Sequence, residues 1–114
     1  MNRKILGKRI REERIRIGLT QEQVAEFIDV STTYIGFIER GERSVTLEKL
    51  ILLADCFHIS IDSLINEIPA PKKNTAEEDQ LLFLWNRASP EERDMILSII
   101  DVIINKTKRP PGQN

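Results

Sequence analysis

LTQEQVAEFIDVSTTYIGFIERGERS, residues 19–44, holds two short amphipathic helices and the turn between them. Thr20 is a helix cap, and Gln23, three residues on, completes a capping-box pattern. Val24, Ala25, Phe27 and Ile28 then form an inner arc at helical spacing. Ala25 is small enough for a following helix to cross closely, Asp29 and Val30 make a short connection, and Ser31 caps the next helix. Ile35 and Ile38 anchor that helix from beneath, and it ends at Gly41. Thr32, Thr33, Gly36 and Phe37 remain as an outward face towards its N-terminal end. A helix N-terminus offers free backbone N–H groups and a positive dipole end, which suits docking beside phosphates. A helix of this size fits the major groove of duplex DNA, where short hydroxyls and methyls can read base edges.

Working outward, residues 3–17 read as a preceding helix with apolar Ile5, Leu6, Ile10 and Ile17, closed by Gly18. Downstream, Thr46 caps a helix expected to bury Leu47, Leu50, Ile51, Leu53, Ala54 and Phe57. Ser60 caps a short helix holding Ile61, Leu64 and Ile65. Residues 1–66 are thus expected to be five short helices. No clean period-two alternation and no Asn-Gly hairpin signal interrupts them, so the fold class is all-α. Residues 67–75, with Pro69 and Pro71 and two lysines, read as a semi-rigid linker. Beyond it, Thr75 to Glu78 caps a sixth helix with Leu81, Leu82, Leu84, Trp85 and Ala88 on its apolar positions. Ser89-Pro90-Glu91-Glu92 starts a seventh that runs to about Lys106. Residues 76–107 form this C-terminal helical segment, and residues 108–114 a disordered basic tail.

The chain has 114 residues, 40% hydrophobic and 31% charged, an ordinary globular balance for one domain with an appendage. One cysteine excludes an intramolecular disulfide and a cysteine-built zinc site, and one histidine disfavours histidine-rich metal sites and most acid–base catalysis. Cys56 reads as a core thiol, and His58 as a surface or capping group. No phosphate loop, metal cluster or nucleophile paired with a base is present, so neither an enzyme nor a bound cofactor or metal is expected. The longest nearly apolar run, Met95 to Ile104, is about half of what a membrane span needs. With no apolar N-terminal segment, a cytoplasmic address is expected. The formal net charge of −1 argues against nucleic-acid binding, but residues 1–19 carry a local +5 and residues 20–66 a local −5. A dipolar chain can still present one basic face, but from charge alone simple solvation of the basic residues of the first helix is the favoured reading.

These residues resemble the phage-repressor (Cro and lambda-repressor) type of helix-turn-helix proteins, also called the xenobiotic-response-element family. The resemblance spans residues 5–66 and rests on Gly18-Leu19-Thr20-Gln21, Val24-Ala25, Ser31, Tyr34-Ile35, Ile38-Glu39-Arg40-Gly41 and Thr46-Leu47-Glu48-Lys49-Leu50. It implies a five-helix DNA-binding domain and a transcriptional regulator whose partner is a double-stranded DNA operator. It further implies base contacts from Thr32, Thr33, Gly36 and Phe37, and phosphate contacts from Gln21, Ser31, Arg40, Arg43 and Ser44. Arg14 and Glu39 match a structural pair between the first helix and the end of the third. Three positions depart from the pattern. Asp29 stands where the family prefers glycine, although aspartate tolerates a left-handed backbone. Gly36 lies inside the recognition helix at a cost of about 1 kcal/mol relative to alanine. Phe37 replaces a polar reader, and either packs on thymine methyls or serves as internal packing shared with the second helix.

From Asp94 to Asn105, polar residues occur only at Asp94, Ser98, Asp101 and Asn105, one narrow stripe on a helix. The isoleucine content leaves a strand reading open, while the capping box and the length favour helix. One small neighbouring helix cannot cover so wide an apolar arc, and Trp85 reads as core or interface. A homodimer through Leu81, Trp85, Ile96, Ile99, Ile100 and Ile103 covers it economically and sets two reading helices on an inverted repeat. The alternatives are a monomer with the seventh helix folded back on its own domain, and an antitoxin-like or antirepressor-controlled module that binds a protein antagonist. In the latter, DNA binding is autoregulatory.

Overall fold

Side-chain caps set the helix starts. In the computed structural model, which describes residues 2–66 and 74–107, Asn2 caps α1 (Arg3–Arg16), accepting from the Lys4 backbone N–H at 2.8 Å. Thr20 and Gln23 form the complete capping box of α2 (Gln21–Ile28). Ser31, Thr46 and Ser60 cap α3 (Thr32–Glu39), α4 (Leu47–Phe57) and α5 (Ile61–Ile65). Thr75 with Glu78, and Ser89 with Glu92, make reciprocal boxes at the starts of α6 (Ala76–Arg87) and α7 (Pro90–Thr107). The fold is all-α, and the C-terminal apolar segment is a helix. Asn2 is a start signal outside the Ser and Thr pattern that marks the other helices.

Helix ends follow the same local logic. Gly18 leaves α1 at a φ of 76°, a left-handed conformation that glycine adopts without steric cost. Asp29 ends α2 in the left-handed region, with φ 59° and ψ 55°, so aspartate serves where the family prefers glycine. The Lys49 ammonium donates to the Ile28 carbonyl at 2.8 Å and helps complete that end.

The chain divides into two compact units, Met1–Phe83 and Leu84–Asn114. The core of the first draws on α1 to α5 and includes Ile10, Val24, Ile28, Ile35, Leu53, Phe57 and Leu64, each fully enclosed. Gly7 explains how α1 approaches the end of α3 so closely. A Cβ there would run into the carbonyl oxygens of Ile38 and Glu39, so any larger residue would force the two helices apart. Cys56 is buried in this core, as its place on α4 predicts.

One expectation needs correction. Leu47 and Ile51 of α4 are exposed, 67% and 42%, because the inward arc of that helix runs through Leu50, Leu53, Ala54 and Phe57 and leaves the other flank outside. Ile5 and Ile65 are likewise exposed. Of the expected linker, residues 67–75, residues 67–73 lie outside the described residues; the two compact units divide inside α6, after Phe83. The reason is Phe83, absent from the expected apolar set of α6. It is 2% exposed, and its ring lies 5.8 Å from that of Phe27. Burying a phenylalanine contributes about 1.5–3 kcal/mol, enough to fasten the first two turns of α6 to the first unit. Asp79, one turn earlier, accepts a 2.5 Å hydrogen bond from Arg16 and another from Asn74 at 3.1 Å. Burial opposes the charge on Arg16, but its bonds to Asp79 and Glu13 outweigh that and raise its pKa further.

In the second unit, Arg93 packs its guanidinium 5.1 Å from the Trp85 ring and donates to the Trp85 carbonyl at 3.0 Å. Leu84 and Ala88 face Met95, Ile96 and Ile99 across an open groove of 560 Å³. No residue of α7 is buried. Among the described residues, no helix is long and apolar enough to cross a membrane. The expected tail, residues 108–114, lies outside the described residues.

Candidate nucleic-acid interface

The α2–turn–α3 unit is built from its buried side outward. Val24, Ala25 and Ile28 of α2 meet Ile35 and Ile38 of α3, all at most 2% exposed. Val30 of the turn packs against the same cluster. This fixes the rotation of α3 and leaves Ser31, Thr32 and Thr33 exposed at its N-terminal end. The Ser31 side chain accepts from the Tyr34 backbone N–H at 3.1 Å. As a capping group it helps hold the first turn, where the remaining free N–H groups point outward.

Glu39 lies at the far end of α3 and is 7% exposed, a carboxylate that must be satisfied internally. Arg14 meets it as a fork, Nε to Oε2 at 2.7 Å and Nη2 to Oε1 at 3.0 Å, and donates a further bond to the Leu19 carbonyl at 3.0 Å. The sequence-matched pair therefore forms. Its value is geometric: a buried ion pair adds little stability relative to apolar packing, while breaking it leaves a stranded charge.

Gln21 belongs to this cluster as well. Its amide donates to Glu39 Oε1 at 3.1 Å and is half-buried, so the residue expected on a phosphate is held by the end of α3. Gln21, Glu39 and Arg14 thus tie together α2, α3 and α1 at one point.

The outward face of α3 differs from expectation at two of its four positions. Thr32 and Thr33 are exposed, but Gly36 is buried. The Arg40 side chain lies back over it, and a Cβ at Gly36 would sit 3.0 Å from an Arg40 terminal nitrogen. Helical side chains lean over the turn N-terminal to their own Cα, so the arginine one turn on covers the glycine. Phe37 is half-buried, with the guanidinium carbons of Arg40 and Arg43 over its ring at 5.4 and 5.5 Å. Arg40 also forks onto Glu42 at 3.1 and 3.3 Å. The Tyr34 hydroxyl donates to the Ser44 carbonyl at 2.7 Å and ties the loop between α3 and α4 to α3. Sequence reading marks Tyr34 only as part of a family motif, without this tie, and does not single out Glu42 or Asp79.

The HTH_3 helix-turn-helix family model matches residues 10–64. Control protein C.SmaI of Serratia marcescens is 43% identical over 63 residues, covering 55% of this chain and 75% of that protein. The HTH-type transcriptional regulator ImmR of Bacillus subtilis is 33% identical over 89 residues, covering 78% and 68%. Among solved structures, the restriction-modification controller protein C.AhdI of Aeromonas hydrophila superposes with a TM-score of 0.53 at 35% identity, over 54% of this chain and 94% of that one.

Proposed function

Because the chain belongs to the phage-repressor type of helix-turn-helix regulators, which bind DNA, we propose that it acts as a homodimeric repressor reading an inverted repeat. One observation carries this reading. The N-terminal end of α3 stands exposed, with Thr32 and Thr33 outward, on a helix locked from beneath by Ile35, Ile38 and Glu39. Such a helix enters the major groove as a rigid body. Thr32 and Thr33 are assigned to base edges, while Gly36, buried under Arg40, and Phe37, covered by Arg40 and Arg43, stand back from them. Ser31 and Ser44 with Arg40 and Arg43 are assigned to phosphates. Gln21 carries two amide N–H donors, so it can hold Glu39 with one and a phosphate with the other. Few groups here read guanine bidentately, so methyl contact and DNA shape supply much of the specificity.

Dimerisation rests on the exposed apolar residues of α7 together with Trp85 and Leu81. Two reading helices held about 34–36 Å apart meet successive major grooves on one face of the duplex. Repression follows from occupying an operator that overlaps a promoter. A second reading assigns the apolar side of α7 to a protein antagonist; the breadth of that side, exposed at Met95, Leu97, Ile99, Ile100, Val102, Ile103 and Ile104, favours it. The cytoplasm is the compartment such a regulator works in.

In vitro selection on random duplexes tests the proposal. An enriched inverted repeat with half-sites one helical turn apart is the expected result. Weak binding with no consensus and a steep salt dependence would overturn it, since that is phosphate contact without readout.

A further inference from the structure

We propose that Phe37 is a positioning residue whose ring seats Arg40 and Arg43 as a paired phosphate clamp, and that Glu42 holds Arg40 in place until a phosphate displaces it. This rests on the reading that the α3 face meets DNA. Three peculiarities of the sequence become one device. The first is the aromatic ring itself. Both guanidinium carbons lie within cation–π reach of it, at 5.4 and 5.5 Å. The second is the glycine in mid-helix. Gly36 leaves the space in which an Arg40 terminal nitrogen lies, 3.0 Å from where a Cβ would stand. The third is an acid between two arginines. Glu42 accepts both prongs of the Arg40 fork, and its own backbone N–H donates to the Phe37 carbonyl at 2.8 Å.

Two cations gathered on one ring repel each other. The negative face of the ring and the Glu42 carboxylate offset that repulsion in the free protein. The loop that carries Arg43 is tied to α3 through Tyr34 and the Ser44 carbonyl at 2.7 Å. Both guanidinium groups are therefore ordered before any ligand arrives, which lowers the entropy lost on binding. The planar fork suits phosphodiester oxygens in the same two-pronged way that it suits Glu42. The carboxylate is thus a stand-in for the phosphate and a competitor with it. With guanidinium groups over its face, the ring is occupied where a thymine methyl would have to pack.

The test uses the full chain and a short mixed-sequence duplex, titrated over a salt series. Phe37→Leu is expected to weaken binding and to lower the slope of log affinity against log salt by about 1 to 2, one for each phosphate no longer neutralised. Phe37→Trp keeps the ring and is expected to keep both. Glu42→Gln frees Arg40 and is expected to tighten binding several-fold. If the wild type binds and F37L matches it in affinity and slope, while its selected site changes at one base pair, Phe37 is a base reader and the clamp is wrong. If the wild type binds no duplex, the DNA-facing reading of α3 itself fails. Should F37L prove less stable, Arg43→Gln gives the same readout: a slope lower by about 1 supports the clamp, and an unchanged slope refutes it.

Discussion

Ile10, Ile17, Ile28, Ile35 and Ile38 of the first unit are at most 1% exposed, whereas Ile99, Ile100, Ile103 and Ile104 of α7 are between 38% and 56% exposed. The residue type is the same and the outcome opposite. In the first unit, short helices approach from several directions and cover the inward arc of each, leaving Ile5, Ile15, Leu47, Ile51 and Ile65 outside. In the second, one long helix is, from Asp94 to Asn105, apolar on all but the Asp94, Ser98, Asp101 and Asn105 stripe, wider than a single partner helix covers. An apolar surface of this kind marks a place for association. On the proposed reading, the unit bearing α3 is complete in one chain and the other is completed by a second copy.

Phe57→Ala breaks the closed side of the comparison most severely. The ring is wholly enclosed, and its removal is expected to cost about 3–5 kcal/mol, read as a lower urea midpoint for unfolding. Asp79→Ala tests where the first unit ends. It strands Arg16, which is 22% exposed and keeps Glu13, so the expected loss is smaller, about 2–3 kcal/mol. If the loss is seen in the melting of the whole first unit, α6 is part of that unit; no change would put the boundary ahead of α6. Ile103→Asp acts on the open side. The residue is 56% exposed, so unfolding of the first unit should move by less than about 0.5 kcal/mol while self-association is lost.

The caps of α2 to α7 are legible because a Ser or Thr at a helix start, in several cases followed three residues later by Glu or Gln, is a local signal. The outward position of Thr32 and Thr33 is legible from the spacing of Ile35 and Ile38. What escapes is non-local. Leu81-Leu82-Phe83-Leu84-Trp85 is apolar at five successive positions, so periodicity cannot say that Phe83 alone goes fully inside. The Arg16–Asp79 pair joins residues 63 apart in sequence. Residue type alone points Leu47 and Ile51 inward, yet a protein surface is itself rich in apolar atoms. The burial of Gly36 depends on which way Arg40 lies, and residue spacing says nothing of that.

The smallest expected effect concerns pH at the start of α7. Hydrogen bonds from the Ser89 backbone and side chain hold the Glu92 carboxyl below its ordinary value of 4.5. A lowered folded pKa contributes stability that is present above the unfolded value and lost as pH falls through the folded one. Helicity of α7 should therefore fray as the medium is acidified from about pH 4.5 downward, and Glu92→Gln should remove that part of the acid response in a circular-dichroism titration. An identical titration for both proteins would show that the cap contributes nothing.

Sedimentation equilibrium of the full chain beside Ile103→Asp, at micromolar concentration, tests the contrast between the two units most directly. A wild-type dimer and a monomeric variant with the same helical content are expected. A wild type that stays monomeric across the range, indistinguishable from the variant, would contradict completion by a second copy.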